Sequence, residues 1–258
     1  KLFVEGPLLG NGKSSFVFSG KTSYLDKSSE ILYKEPILYF DDKGLPYSYT
    51  DLYGKFSLHG NNGSKINVFG FNFQDKVDYE GISELNWTSQ GIGSEFILIP
   101  GNSPVLIEGN FAYSSYDISL DEEASPLRES GIDGFNMGFD FTYFQPKGKI
   151  KYGFDIHGFS TDFTTYNSVN SKIEQKENTS EFSAYINYQF NTTRFIIEPG
   201  FRLQKYTLGV SPEPRLGMKY IASDRLRFKV SSGYYSQNIL STTSDRDVVN
   251  LFSGIISS

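Results

Sequence analysis

The chain has 258 residues, of which 21% are charged and 16% aromatic, with 23 Phe, 18 Tyr, 25 Gly, one Trp and no Cys. That much bulky apolar surface excludes a disordered chain, and no window approaches the ~18 apolar residues of a membrane-spanning helix. The lack of Cys excludes disulfide scaffolds, thiol catalysis and thiolate zinc sites, and a net charge of -6 argues against nucleic acid as a partner. The opening Lys1-Leu2-Phe3-Val4-Glu5-Gly6-Pro7 has no signal-peptide pattern. A leader that has been removed, or a start lying outside this chain, is the expectation.

Period-two alternation runs through nearly the whole length, and helix periodicity is almost absent. Phe16, Phe18, Gly20, Thr22 and Tyr24 alternate with Ser15, Ser19, Lys21 and Ser23. Val105, Ile107, Gly109, Phe111 and Tyr113 alternate with Glu108, Asn110, Ala112 and Ser114. From Phe135 to Tyr143 the odd positions are bulky and the even ones small or polar. Pro146-Lys147-Gly148 then turns the chain into Ile150, Tyr152, Phe154 and Ile156, set against Lys149, Lys151, Asp155 and His157. Further on, Phe182 to Phe190, Phe195 to Leu203 and Leu226 to Val230 repeat the theme. About twelve strands of roughly 10–16 residues are predicted, well beyond the ~5–6 of an ordinary soluble strand.

The predicted connections also alternate. Short ones carry tight-turn residues: Gly10-Asn11-Gly12, Asn61-Asn62-Gly63, Pro100-Gly101-Asn102, Asn191-Thr192, Ser223-Asp224. Longer ones are expected over 26–46, 76–82, 120–130, 162–179 and a tail from 237 that reads as loop. Short turns at one end and long loops at the other are how outer-membrane barrels are built.

A soluble β-sandwich would use the same alternation with the greasy face as an internal core. Three features favour an antiparallel transmembrane β-barrel instead. The polar face is charged along whole strands, the strands reach the ~9–11 residues needed to cross a bilayer, and tyrosines gather near strand ends as an interfacial girdle requires. The girdle candidates are Tyr24, Tyr47, Tyr49, Tyr113, Tyr116, Tyr143, Tyr206, Tyr234 and Tyr235. Phe139, Phe141, Ile150, Tyr152, Phe154, Ile186, Ile197 and Phe228 are therefore expected to face lipid. Asp140, Lys149, Lys151, Asp155, His157, Glu198, Arg202, Arg227 and Lys229 are expected to face the lumen.

Several stretches also resemble a known family. Glu5-Gly6-Pro7-Leu8 and Ser14-Ser15-Phe16 leading to Ser19-Gly20-Lys21-Thr22-Ser23-Tyr24-Leu25-Asp26 resemble the first barrel hairpin of TonB-dependent outer-membrane receptors of the Bacteroidota. Lys21 stands where Arg would be expected. Tyr49-Thr50-Asp51-Leu52-Tyr53-Gly54-Lys55 looks like the third strand. Glu198-Pro199-Gly200-Phe201-Arg202, Pro212-Glu213-Pro214-Arg215-Leu216-Gly217 and Gly233-Tyr234-Tyr235-Ser236-Gln237-Asn238 look like mid-barrel hairpins. The resemblance implies a barrel of 22 strands around a plugged lumen, of which residues 1–258 would be about the first half. It implies uptake of a nutrient or chelate, an outer-membrane location, and coupling to TonB through a plug and TonB box that this chain does not contain.

No enzyme is expected, because no nucleophile elbow, zincin motif or phosphate loop is present and the carboxylates are dispersed. No cofactor or metal is expected either. His157 and His59 each stand alone and read as hydrogen-bonding residues. Asp121-Glu122-Glu123 and Asp41-Asp42 read as solvated acidic loops, with calcium as the rival use. The apolar run Ile31-Leu32-Tyr33-Lys34-Glu35-Pro36-Ile37-Leu38-Tyr39-Phe40 must be covered by its own barrel, a surface lipoprotein partner or a ligand. The rival functions are a structural or accessory barrel subunit of an envelope complex, and a soluble adhesin or glycan-binding module.

Overall fold

The computed structural model describes residues 1–237, 239–241 and 255–257, apart from 9, 11, 26–27, 30–44, 80, 102, 124, 168 and 207–208. Twelve strands form one antiparallel sheet in sequence order: β1 (Leu2–Pro7), β2 (Ser14–Thr22), β3 (Tyr47–His59), β4 (Lys65–Tyr79), β5 (Ser83–Leu98), β6 (Val105–Glu122), β7 (Ser125–Gln145), β8 (Gly148–Tyr166), β9 (Lys172–Asn191), β10 (Phe195–Lys205), β11 (Val210–Ile221) and β12 (Arg227–Gly233). Each strand pairs with the next, so every connection joins neighbours, and β1 and β12 form the two edges.

The strands are longer than their alternation suggested, β7 reaching 21 residues and β9 20. Three expected long loops are mostly ladder. The 76–82 stretch lies in β4 up to Tyr79 and resumes in β5 at Ser83, and the 162–179 stretch is strand except between Tyr166 and Lys172. Within 120–130, β6 runs to Glu122 and β7 starts at Ser125, with a register shift between Leu120 and Glu122. The acidic run Asp121-Glu122-Glu123 read as a loop, yet Arg128 bonds Glu122 at 2.7 Å across the hairpin. The tail from 237 also contains a short antiparallel pair, β13 (Ile239–Ser241) with β14 (Ile255–Ser257). The apolar run 31–40 and Asp41-Asp42 lie outside the described residues.

Proline sets the length of β12. Tyr234 N–H donates to the Pro214 carbonyl at 3.0 Å, so β12 lies on the side to which position 214 directs its backbone groups. Pro212 and Pro214 have no N–H to offer there, and β12 stops at Gly233.

Among the described residues no second layer packs on this sheet. Among the described residues Ile118 is the one buried hydrophobic side chain, whereas Ile186 is 52% and Phe228 53% exposed. A soluble sandwich would bury such a face against a partner sheet.

Candidate functional site

The register sorts the side chains of β2–β12 into two faces. On one, apolar residues form a band nearest the short turns. Ile107, Phe141, Tyr152, Ile186 and Phe201 are successive cross-strand partners. Their rings touch across strands: Phe141 on Tyr152 at 5.2 Å, Phe139 on Phe154 at 5.3 Å, Phe96 against Phe139 at 5.8 Å, and Phe195 against Tyr220 at 4.9 Å. Phe139, Phe141, Ile150, Tyr152, Phe154, Ile186, Ile197 and Phe228 all share this banded face.

Across β5–β8 the band ends abruptly, while Leu52 on β3 stands one row beyond it. Ile92, Tyr113 and Phe135 form its last row, and the partners two residues further on are Gln90, Ser115, Asp133 and Ser160. Tyr113 donates its hydroxyl to Asp133 Oδ1 at 3.1 Å across that border. Beyond it the same face carries Lys76, which pairs with Asp78 at 3.1 Å and Glu84 at 3.0 Å. Donation from the Asn86 amide and then from the Lys76 ammonium holds the Glu84 carboxyl below the usual carboxylate range.

The opposite face has the reverse polarity. Beside the band, one row runs Lys65, Ile97, Glu108, Asp140, Gly153, Tyr185, Arg202 and Glu213. Asp140 pairs with Lys151 at 2.8 Å and accepts a hydrogen bond from the Tyr185 hydroxyl. Arg202 donates to Ser183 Oγ at 2.7 Å and lies 3.7 Å from Asp155. Glu213, almost fully buried, accepts from Arg215 at 2.6 Å and from the Ser236 N–H at 3.0 Å. The structure thus joins Asp140 with Lys151 and Asp155 with Arg202. Among the described residues Lys149, Glu198, Arg227 and Lys229 share the face without an ion pair. His157 stands between Asn136 and Glu181 in the ladder, and no group of three His, Cys, Asp or Glu is placed to hold a metal among the described residues.

Further from the short turns this opposite face becomes aromatic. Phe69, Phe71 and Phe73 line β4, with Phe71 and Phe73 stacked at 5.0 Å. The cross-strand partners of Phe69 and Phe71 are Gly93 and Gly91. A Cβ at Gly93 would fall 2.6 Å from Phe69 Cζ, and one at Gly91 2.8 Å from Phe71 Cε1. Glycine is required there so that the rings can lie over the sheet. Phe159 leans in the same way over Gly134, and the row above holds Trp87, Ile118 and Phe163. The result is a shallow aromatic floor across β4–β8. It was not foreseen, because Ile66 and Val68 occupy one parity of β4 and Phe69, Phe71 and Phe73 the other. The aromatic run Phe69-Gly70-Phe71-Asn72-Phe73 was the available signal.

The tyrosine girdle is only partly realised. Tyr113 and Tyr143 lie on the banded face near its two ends, but Tyr47, Tyr49 and Tyr116 lie on the opposite one. Tyr235 sits under the Arg215 guanidinium at 4.8 Å, and the Tyr206 hydroxyl bonds Ser236.

No protein-family model and no curated protein matches the sequence. Solved structures do share the fold. The FrpB iron transporter from Neisseria meningitidis aligns with a TM-score of 0.64 at 12% identity, covering 85% of this chain and 41% of that one. A ferric enterobactin receptor (PfeA) mutant from Pseudomonas aeruginosa aligns with a TM-score of 0.60 at 9% identity, over 89% of this chain and 40% of that one. The outer-membrane transporter YddB from Escherichia coli aligns at 0.57 and 8% identity, over 85% and 35%. The fold is that of an outer-membrane β-barrel wall. The chain spans less than half the length of each of these proteins.

Proposed function

We propose that this sheet is part of the wall of an outer-membrane transporter resembling the TonB-dependent receptors of the Bacteroidota, which takes up a nutrient or chelate. The banded face meets lipid and the opposite face lines the lumen. The reversal of polarity along the strands carries this proposal. A solvated sheet needs no apolar belt that stops at one row, whereas a bilayer requires an apolar exterior only over its hydrocarbon thickness. Beyond the Tyr113 row the exterior turns polar, as a surface in water does, and the aromatic floor then lies inside, where a cargo would pass. FrpB, which shares the fold, is an iron transporter, and PfeA a ferric enterobactin receptor. The edges at β1 and β12 would meet further strands, since open edges leave backbone groups unpaired in lipid. A plug and TonB box supplied outside residues 1–258 would couple the barrel to TonB. A surface lipoprotein is a further candidate partner.

Cysteine scanning along β6 tests the orientation. A membrane-impermeant thiol reagent should leave Phe111→Cys unlabelled in intact outer membranes and label Asp117→Cys, two positions of the same parity. Equal labelling of the two would remove the lipid belt and with it the transporter.

A further inference from the structure

The wall is stepped at the rim far from the short turns. β10 ends at Lys205, whose ladder partners run back through Phe182, Ile156 and Met137 to Phe111. That row lies one short of the Tyr113 border, so β10 and β11 stop there while β9 climbs on. From Lys172 to Glu181, β9 pairs with β8 alone among the described residues. The Asn191 N–H donates to the Lys147 carbonyl on the β8 side, and the Thr192 N–H to the Phe195 carbonyl on the other. The β8–β9 register is unbroken from Phe190 to Lys172, so the amides of even-numbered residues face away from β8. Lys172, Glu174, Lys176, Asn178 and Ser180 therefore turn their N–H and C=O groups to an open edge, and all five are exposed.

Long edges are ordinarily blunted by proline, by bulges or by lysine side chains. This one has neither proline nor glycine and no bulge. Its two lysines are held on their own face, Lys172 by Glu174 and Lys176 by Asp162 at 3.4 Å. Below Glu181 the same edge is filled by β10, so the ladder is half occupied. Donor and acceptor pairs recurring every ~6.8 Å match the two-residue repeat of another strand. We propose that an extended segment of a partner polypeptide docks on β9 from Lys172 to Ser180, continuing the sheet where β10 stops. Gln175 and Thr179 stand beside Phe163 and Phe159 of the aromatic floor, so the added strand turns apolar side chains inward and polar ones outward. The edge faces the cell exterior only on the proposed orientation, and the inference rests on that reading.

The test uses intact cells bearing the protein and the dye-labelled peptide acetyl-Lys-Val-Thr-Val-Thr-Val-Thr-Val-Lys-amide. Antiparallel docking with the valines inward turns the threonine amides toward β9 and the valine amides away. Saturable binding that cells without the protein lack should survive N-methylation of the valines. N-methylation of the threonines should weaken it at least about tenfold, since the donors to β9 are lost. Asn178→Pro should weaken it as much, because the proline ring fills the edge while an outward N–H has no ladder bond to lose. Binding that is absent, or insensitive to both threonine methylation and Asn178→Pro, overturns the inference. Peptide recovered from the periplasm is cargo, which overturns the assignment to a docked partner. Lys176→Cys separates the two proposals: thiol labelling there without peptide binding rejects the edge alone, and protection like that of Phe111→Cys rejects the orientation.

Discussion

The hydroxyl of Tyr185 on β9 reaches over β8 to Asp140 on β7, and Gly153 is the ladder partner of both. The bond exists because Gly153 leaves the surface of β8 bare. A Cβ there would lie 2.4 Å from the Phe139 carbonyl oxygen and 2.5 Å from Asp140 Oδ1. Gly153→Ala should therefore destabilise the protein by about 1–3 kcal/mol, the range for overpacking a tight site. Gly109→Ala should cost less, although its Cβ would meet Phe96 Cζ at 2.3 Å, since on the proposed orientation the Phe96 ring can swing into lipid and a backbone carbonyl cannot move. Urea midpoints of the refolded variants check the order. Equal losses would mean that the Phe96 ring is held as firmly as the backbone.

A charge in the middle of the band should be the most damaging single change. Phe154 stacks on Phe139 and lies 6.4 Å from Phe182, and if the proposed orientation sets it near the bilayer midplane, Phe154→Arg should cost roughly 2–4 kcal/mol. Asp140→Asn should cost less, because Oδ1 remains to accept from Tyr185 and the Lys151 ammonium can turn to water on that face. The reverse order would exchange the two faces.

Trp87 is the single tryptophan, which makes its fluorescence a report from one place. It lies on the opposite face, beyond the border row, with Ile118 as its ladder partner. Water-soluble acrylamide should quench it, and lipids brominated along the acyl chain should not. Strong quenching by brominated lipid would put the aromatic floor in the bilayer.

The hairpin tip of β4 and β5 should loosen in acid. Glu84 titrates below the usual carboxylate range because Asn86 and Lys76 bond its charged form. A group depressed in the folded state stabilises it above the unfolded pKa, and that contribution fades as pH falls through the folded value. Protection of the Ile82 amide, whose N–H bonds the Tyr79 carbonyl, should fall as pH drops below the ordinary range for Glu, its exchange approaching the intrinsic rate. The effect should be small and weaken with salt, because the cluster is exposed. Glu84→Gln should abolish the pH dependence, and an unchanged profile in that variant would exclude Glu84 as its source.

Period-two alternation was enough to give an antiparallel sheet of about twelve strands, because successive side chains must take opposite faces. It also grouped Phe139 with Phe154 and Asp140 with Lys151, since a one-residue slip would exchange every side chain. What it left open is where one set of partners stops being apolar. The row from Tyr113 to Phe135 emerges only when strands far apart in sequence are placed in register. The same is true of the aromatic floor, whose Phe69 and Phe71 lie flat only because Gly93 and Gly91 of the next strand stand opposite. It holds again for the buried Asn67 on β4, whose side-chain carbonyl finds no donor among the described residues. Alternation is a local consequence of strand geometry, whereas borders, floors and orphaned groups depend on which strands meet, and pairing alone decides that.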